Sequence, residues 1–421
     1  MKEIKAKPLI RSRVRLPGSK SITHRALIAA ALAKGESLLP NPLLCEDTGY
    51  TLNGLRKLGI KISPDGNTVK VFGGAGQFPD AADTTEIYLG NAGTSYRLLL
   101  STAALAMGNY ILAGDSRMRE RPIGELVEAL NQVGVDALCT GQKGFPPVLV
   151  RARGIPGGKV KFEGSKSSQY VSSLLLAGPY AEKDIEIEIT GELVSRPYLD
   201  ITLDVMKTFG ARVEREGYRY FKIRSGQLYQ ACGFSVEGDV SSASYFWAAA
   251  AVTGGSVSTE NIHPYTTCQG DIGFLDILEA IGCRVERGAD QVTVHGGTLS
   301  GIEADMSSMP DMVPTLAAIA LFAEGTTVIR NVPHLRHKES DRLKSIAIGW
   351  TLLGGSVEEL PDGLIIHGRS PLAGRALDPF GDHRIAMSLA VIGLRVPGLK
   401  IKNETCVNKS FPQFWELWDR I

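Results

Sequence analysis

Residues 16–36 read LPGSKSITHRALIAAALAKGE, a polar lead-in with glycine followed by an alanine-rich apolar run that stops at Gly35. The run predicts a helix that is apolar nearly all round, and such a helix is buried on every side. Yet its mouth carries Lys20, Ser21 and Arg25. The pattern recurs, with copies about 70 residues apart. It returns as RLLLSTAALAMGNYILAG (97–114), YVSSLLLAGPYAEKDIEIEI (170–189), ASYFWAAAAVTGGSVSTEN (243–261), PTLAAIALFAEGTTVIRN (314–331) and RIAMSLAVIGLRVPGLKIKN (384–403). Each copy is a polar turn, an apolar helix, a turn that usually carries glycine, and a β-rich segment.

A second helix follows in most copies, seen in LNGLRKLGIKI (52–62), LVEALNQVGVDA (126–137), LDVMKTFGARVE (203–214), LDILEAIGCRVE (275–286) and IGWTLLGGSVE (348–358). Leucine-like residues at i, i+3 and i+4 with a glycine past the end mark a half-buried helix closed by a C′ glycine. Strands and two kinds of helix in each repeat predict an α/β (α+β) protein. Six repeats suggest three per domain, with a boundary near Phe234–Asp239.

With 421 residues, 43% hydrophobic and 22% charged, the chain can bury a large core and is long enough for two domains. Forty-six Lys and Arg against forty-five Asp and Glu leave a net charge of +1, which predicts no nucleic-acid partner and no membrane surface. An anionic ligand is then captured by a local cationic cluster. The N-terminus MKEIKAKPLI lacks a signal-peptide core, and no apolar run approaches about 18 residues, so a cytoplasmic location is expected. The six cysteines are scattered without CxxC spacing, which predicts reduced structural thiols rather than disulfides or zinc sites.

What precedes each buried helix carries the chemistry. The lead-ins are GSKSITHR (18–25), GNAGTSYR (90–97), GSKSSQY (164–170), EGDVSSAS (237–244), SMPDMVP (308–314) and GDHRIAM (381–387). Ser21, Thr94, Ser168, Ser242, Asp311 and Asp382 are acceptable N-cap types. Capping leaves Lys20, Arg25, Lys166 and Arg384 unexplained, because a cation is disfavoured at the positive end of a helix unless an anion offsets it. Charge is dense also in RMRERP (117–122), HLRHKESDR (334–342) and NKSFP (408–412). The pair His334 and His337 has no third ligand at metal spacing, so no metal is expected.

LPGSKSITHRAL, GNAGT, RMRERP, SSQY, VEGDVSSASYF, PD at 310–311, KESDR, GDHRIAM and KSFP, in this order, resemble the 5-enolpyruvylshikimate-3-phosphate synthase family over nearly the whole chain. The resemblance implies two similar domains, each of three βαβαββ-type units with parallel buried helices, and an active site in the interdomain cleft. Domain bounds on this reading are 18–235 for the first and 1–17 plus 236–421 for the second, with hinge crossings near 13–18 and 234–239.

The implied reaction transfers the enolpyruvyl group of phosphoenolpyruvate to the 5-hydroxyl of shikimate 3-phosphate, releasing phosphate, in a monomer without cofactor. Position by position, Lys20, Ser21 and Arg25 match the motif whose lysine lies between both substrates; all three are expected shikimate 3-phosphate contacts and Lys20 also a catalytic residue. Ser167, Ser168, Gln169 and Ser195 match the shikimate 3-phosphate side, to which Asp311 and Lys338 also belong. Asn91, Gly93, Arg121, Arg342, Arg384 and Lys409 match the phosphoenolpyruvate side, with Lys20 and Gln169 shared. Asp311 is the expected base for the 5-hydroxyl, and Lys338 with Glu339 the expected proton relay to C3 of phosphoenolpyruvate.

Leu98 stands where many relatives have proline, which leaves the response to glyphosate open. His334 stands where a family asparagine often contacts substrate. The related UDP-N-acetylglucosamine enolpyruvyl transferase carries a reactive cysteine before an arginine-proline pair, and no cysteine falls within 114–122. A non-catalytic anion binder on this scaffold would have lost Asp311, Lys338 and Glu339, which are present. Because the expected site residues divide between two halves, the halves are expected to close on shikimate 3-phosphate. Small-angle scattering is expected to give a smaller radius of gyration with shikimate 3-phosphate and an unreactive phosphoenolpyruvate mimic than without them. An unchanged radius from a demonstrably open free form would contradict closure.

Overall fold

The computed structural model describes residues 1–81 and 83–421 and divides into two compact units. The first is Gly18–Val236; the second joins Met1–Pro17 to Glu237–Ile421.

In the first unit the repeat is most regular over its middle and last thirds. Strand Thr85–Tyr88, helix Gly93–Ala104, strand Met107–Ala113, helix Gly124–Gln132 and the hairpin Asp136–Cys139 with Val148–Arg153 form one βαβαββ module. Its first two strands are parallel, as a helical crossover requires, and the others antiparallel. Val148, Val150 and Ala152 are buried in alternation with Leu149, Arg151 and Arg153, so one face of the sheet packs inward. Residues 158–223 repeat the module. The first third lacks its opening strand, and residues Gln230 and Gly233 instead bridge in parallel to Lys34 and Leu38.

The second unit reverses that arrangement. Strand Arg11–Arg15 pairs in parallel with Ser256–Glu260 and supplies the opening strand of the module that begins with helix Val240–Thr253. The chain therefore starts in one unit and pairs its first strand of that sheet with residues 256–260, which is why the two units are joined twice. Equivalent close approaches mark the two joins. A Cβ on Gly18 would sit 2.0 Å from the Asn41 carbonyl, and one on Gly238 would sit 2.3 Å from that of Asn261, so only glycine fits.

Three helices form the centre of each unit: Lys20–Leu32, Gly93–Ala104 and Ser168–Ala177 in the first, Val240–Thr253, Val313–Ala320 and His383–Gly393 in the second. Within each set the helices touch one another. Ala26 through Ala33 are wholly buried, as the all-round apolar pattern predicts. The amphipathic helices, such as Glu46–Lys57 and Arg342–Leu352, cover these bundles with one face only.

Helix starts differ from the sequence reading. Ser19, Ala92, Ser167 and Asp239 occupy the cap positions, and Ser21, Thr94, Ser168 and Ser242 fall inside the first turn. Asp311 lies in a 3-10 turn before Val313–Ala320, while Asp382 is the cap expected and accepts from the Arg384 amide at 2.9 Å. The physical reason is that at Ser19, Ser167 and Asp239 the chain turns helical directly after an extended residue. Neither Ser19 nor Ala92 caps with its side chain, so those first-turn amides keep their direction for another acceptor. Among the described residues no helix is long and apolar enough to cross a membrane.

Candidate active site

In the first unit the helix mouths are tied to one another by side chains. Lys20 reaches across to Asp47 on helix Glu46–Lys57, Nζ to Oδ2 at 2.9 Å. His24 Nδ1 meets Thr51 Oγ1 at 2.7 Å, Thr51 donates to Ser95, and Ser95 donates to the Asp47 carbonyl at 2.8 Å. This chain links three helices beneath Lys20. Arg25 is wholly buried and donates to Thr202, the Ser21 carbonyl, Ser172 and the Tyr198 carbonyl. Burial lowers its pKa to about 10. Arg25 therefore braces helix Pro197–Thr208, and Ser195 just before that helix is 8% exposed and holds a left-handed φ of 55°.

Arg121 lies over the first turn of helix Gly93–Ala104. Its Nη1 donates to Asn91 Oδ1 at 2.9 Å and to the Asn91 carbonyl at 3.1 Å. A Cβ on Gly93 would sit 2.6 Å from Arg121 Nη2 and 2.7 Å from Cζ, so the guanidinium occupies the space that a side chain would need. Gly93→Ala is accordingly expected to push Arg121 aside and weaken the binding of a small anion beside it by tenfold or more. Calorimetric titration of the parent and the variant with inorganic phosphate checks this.

Gln169 joins two helix mouths, its Nε2 donating to Thr94 Oγ1 at 3.0 Å and its Oε1 accepting from Arg97 Nη1 at 2.8 Å. Ser167 caps its helix by accepting from the Gln169 amide. Leu98 is wholly buried in helix Gly93–Ala104.

The second unit gathers its charges around one carboxylate. Asp311 Oδ1 accepts from Arg342 Nη1 at 2.8 Å and Oδ2 from Arg384 Nη2 at 2.6 Å. Arg342, 1% exposed, also donates to Glu339 at 2.8 Å and to Asp382 at 2.9 Å. Burial alone would lower the Arg342 pKa, but the charges of Asp382, Glu339 and Asp311 outweigh it and raise it. Lys409 is buried in the 3-10 segment Glu404–Lys409, which packs on helix His383–Gly393. Lys338 follows the 3-10 turn Pro333–His337 and is half-buried.

His334, in the same turn, is 6% exposed, and neither ring nitrogen has a hydrogen-bond partner. Burial, helped by the positive charge of Lys338, pushes its pKa down to about 3. It is a neutral imidazole at all ordinary pH. Among the described residues no group of three or more His, Cys, Asp and Glu is placed to hold a metal ion.

Several neighbours escaped the sequence reading. Asp47 lies 27 residues from Lys20, on a helix read only as amphipathic. Arg97 was visible in GNAGTSYR but had no apparent task; the structure gives it Gln169 and a place over the Tyr170 ring at 5.5 Å. Asp271 had no signal at all. It is buried and accepts from Ser241, and burial together with the charge of Asp311 pushes its pKa up to about 7.

The profile of EPSP synthase (3-phosphoshikimate 1-carboxyvinyltransferase) matches residues 4–418. The chain belongs to the EPSP synthase family. The 3-phosphoshikimate 1-carboxyvinyltransferase of Methanoculleus marisnigri is 49% identical over 95% of this chain and 94% of its own. That of Sulfurovum sp. is 44% identical over 100% and 99%. The solved EPSP synthase of Acinetobacter baumannii superposes with a TM-score of 0.82 at 30% identity, covering 99% of this chain and 97% of that one. The family brings the α/β architecture of three-module units expected from the repeats.

Proposed function

We propose that the first unit of this EPSP synthase family member holds shikimate 3-phosphate and part of phosphoenolpyruvate, and that the second supplies the acid–base groups and further cations. The activity is that of a 3-phosphoshikimate 1-carboxyvinyltransferase. The enolpyruvyl group of phosphoenolpyruvate passes to the 5-hydroxyl of shikimate 3-phosphate and phosphate is released, a step of aromatic amino acid biosynthesis. Both substrates are multiply charged and do not cross membranes unaided, which supports a cytoplasmic site of action. The chain works as a monomer in this reading.

The observation that carries the residue assignments is Asp311 held between Arg342 and Arg384. In the free protein its carboxylate stands in for a ligand anion. Phosphoenolpyruvate, through its phosphate and carboxylate, competes for the two guanidinium groups and for Lys409. Asp311 then regains a free lone pair and accepts the 5-hydroxyl proton, while Lys338, relayed by Glu339, protonates C3 of phosphoenolpyruvate. The 5-oxygen bonds to C2, giving a tetrahedral adduct. Loss of a C3 proton with cleavage of the C2–phosphate bond restores the double bond and frees phosphate, its charge met by the same cations. Lys20 and Arg121 perform the equivalent task in the first unit, with Asp47 and Asn91 as their resting partners. Ser21, Ser167, Ser168, Gln169 and Ser195 hold shikimate 3-phosphate, Arg25 bracing them, and Gly93 lets Arg121 approach.

His334 offers a neutral donor and acceptor whose lack of a protein partner is costly, so a substrate hydroxyl fits it. His334→Asn is expected to leave KM for shikimate 3-phosphate within about threefold, and His334→Ala to raise it by about tenfold. Equal values for the two would remove His334 from the substrate site. The overall reading is tested by incubating the protein with shikimate 3-phosphate and phosphoenolpyruvate, without added metal, and measuring phosphate. Turnover with UDP-N-acetylglucosamine but not with shikimate 3-phosphate would overturn it.

A further inference from the structure

The three central helices of the second unit end around an open recess of about 530 Å³, within the range of roughly 300–1,000 Å³ typical of small-molecule sites. Ala251, Val252, Leu299, Leu321 and Val396 form a buried apolar floor, and Arg369 and Arg395 stand exposed at the rim. The candidate catalytic residues belong to the opposite, N-terminal ends of these helices, so the recess is separate from them.

The first unit shows what normally closes such a place. Tyr180 lies two residues beyond Gly178 at the end of the third central helix, and its hydroxyl donates to the Leu32 carbonyl at the end of the first. Its ring packs 5.8 Å from that of Tyr229, which donates to Leu176 and packs against Phe209. The second unit has Arg395 in the equivalent position, two residues beyond Gly393, and Arg395 donates to the Val252 carbonyl at the end of its own first central helix. The hydrogen bond is kept, but a guanidinium replaces an aromatic ring and the ring's volume stays open.

Arg369 is placed as deliberately. Its φ of 57° lies in the left-handed region, disfavoured for arginine, and its amide donates to the Leu321 carbonyl at the end of the second central helix. The Arg395 guanidinium thus offsets the negative end of the first central helix, and the Arg369 guanidinium, held at the rim only by an exposed pair with Glu324 at 3.3 Å, is open to exchange for another carboxylate.

We infer that this recess is a ligand site for a small carboxylate carried on a flat apolar body. The body takes the space that tyrosine fills in the first unit, against Phe322 and the apolar floor. The carboxylate meets Arg369 and Arg395 in charge-assisted hydrogen bonds.

The test titrates the whole protein with 3-phenylpropanoate, followed by calorimetry and ligand-observed NMR, with excess shikimate 3-phosphate present throughout. Saturable binding with a Kd on the order of 1 mM or tighter is expected. The neutral twin 3-phenylpropanamide should bind at least tenfold more weakly. The R369Q/R395Q double variant should lose at least tenfold for the carboxylate but little for the amide. Thr298 is exposed at the mouth of the recess, and T298W should abolish binding while leaving turnover at the wild-type rate. Absence of saturation, equal affinity for acid and amide, or binding indifferent to T298W would each overturn the proposal.

Discussion

Asp311→Asn is expected to lower kcat for enolpyruvyl transfer by about 10²- to 10⁴-fold, the usual scale for losing a positioned base. KM for phosphoenolpyruvate stays level or falls. The two halves of this expectation come from one geometry. Each carboxylate oxygen of Asp311 accepts from a different arginine, so on the proposed reading the resting protein holds Arg342 and Arg384 against the phosphoenolpyruvate anion. Asparagine keeps one acceptor oxygen and turns an amide donor toward the other guanidinium. The competitor for phosphoenolpyruvate is thereby weakened and the base removed. Steady-state kinetics with each substrate varied separate the roles: a raised KM with kcat preserved would make Asp311 an orienting residue and not the base.

Architecture was legible because it rests on composition along single helices. An all-round apolar run such as Ala26–Ala33 has one physical outcome, burial, and six copies at near-constant spacing leave little freedom in how the modules stack. The site was legible in part. Lys20 and Arg384 stood out because a cation at a helix mouth contradicts the helix dipole and so asks for an anion, and Arg121 because it falls in the charge-dense run RMRERP. Their resting partners did not stand out. Asp47 lies on a covering helix and meets Lys20 only when helices pack, and Asp271 lies in a short 3-10 turn without periodicity. Cap positions were misread by one to three residues because serine and threonine suit both a cap and the first turn, and only the extended lead-in decides between them.

Arg342→Ala is expected to cost about 3–5 kcal/mol of stability, the scale for breaking a buried ion pair from one side. Arg342 is 1% exposed and is the meeting point of Asp311, Glu339 and Asp382. Without it, Asp382 is left wholly buried, accepting hydrogen bonds only from the Ser340 hydroxyl and the Arg384 amide. The pH dependence changes sign as well. Burial alone would raise the Asp382 pKa, but the Arg342 charge and His383 bring the net value below the ordinary carboxylate range. In the parent protein the carboxylate therefore contributes stability that is present above its unfolded pKa of about 3.9 and lost as pH falls through the lower folded value. In Arg342→Ala burial prevails and the folded pKa rises above the unfolded one, so protonation favours the fold and the variant regains stability as pH falls from 7 toward 5. Urea unfolding at pH 7 and pH 5 reads both effects. A variant as stable as the parent at pH 7, or one that only loses stability on acidification, would show that Arg342 does not hold these carboxylates in place.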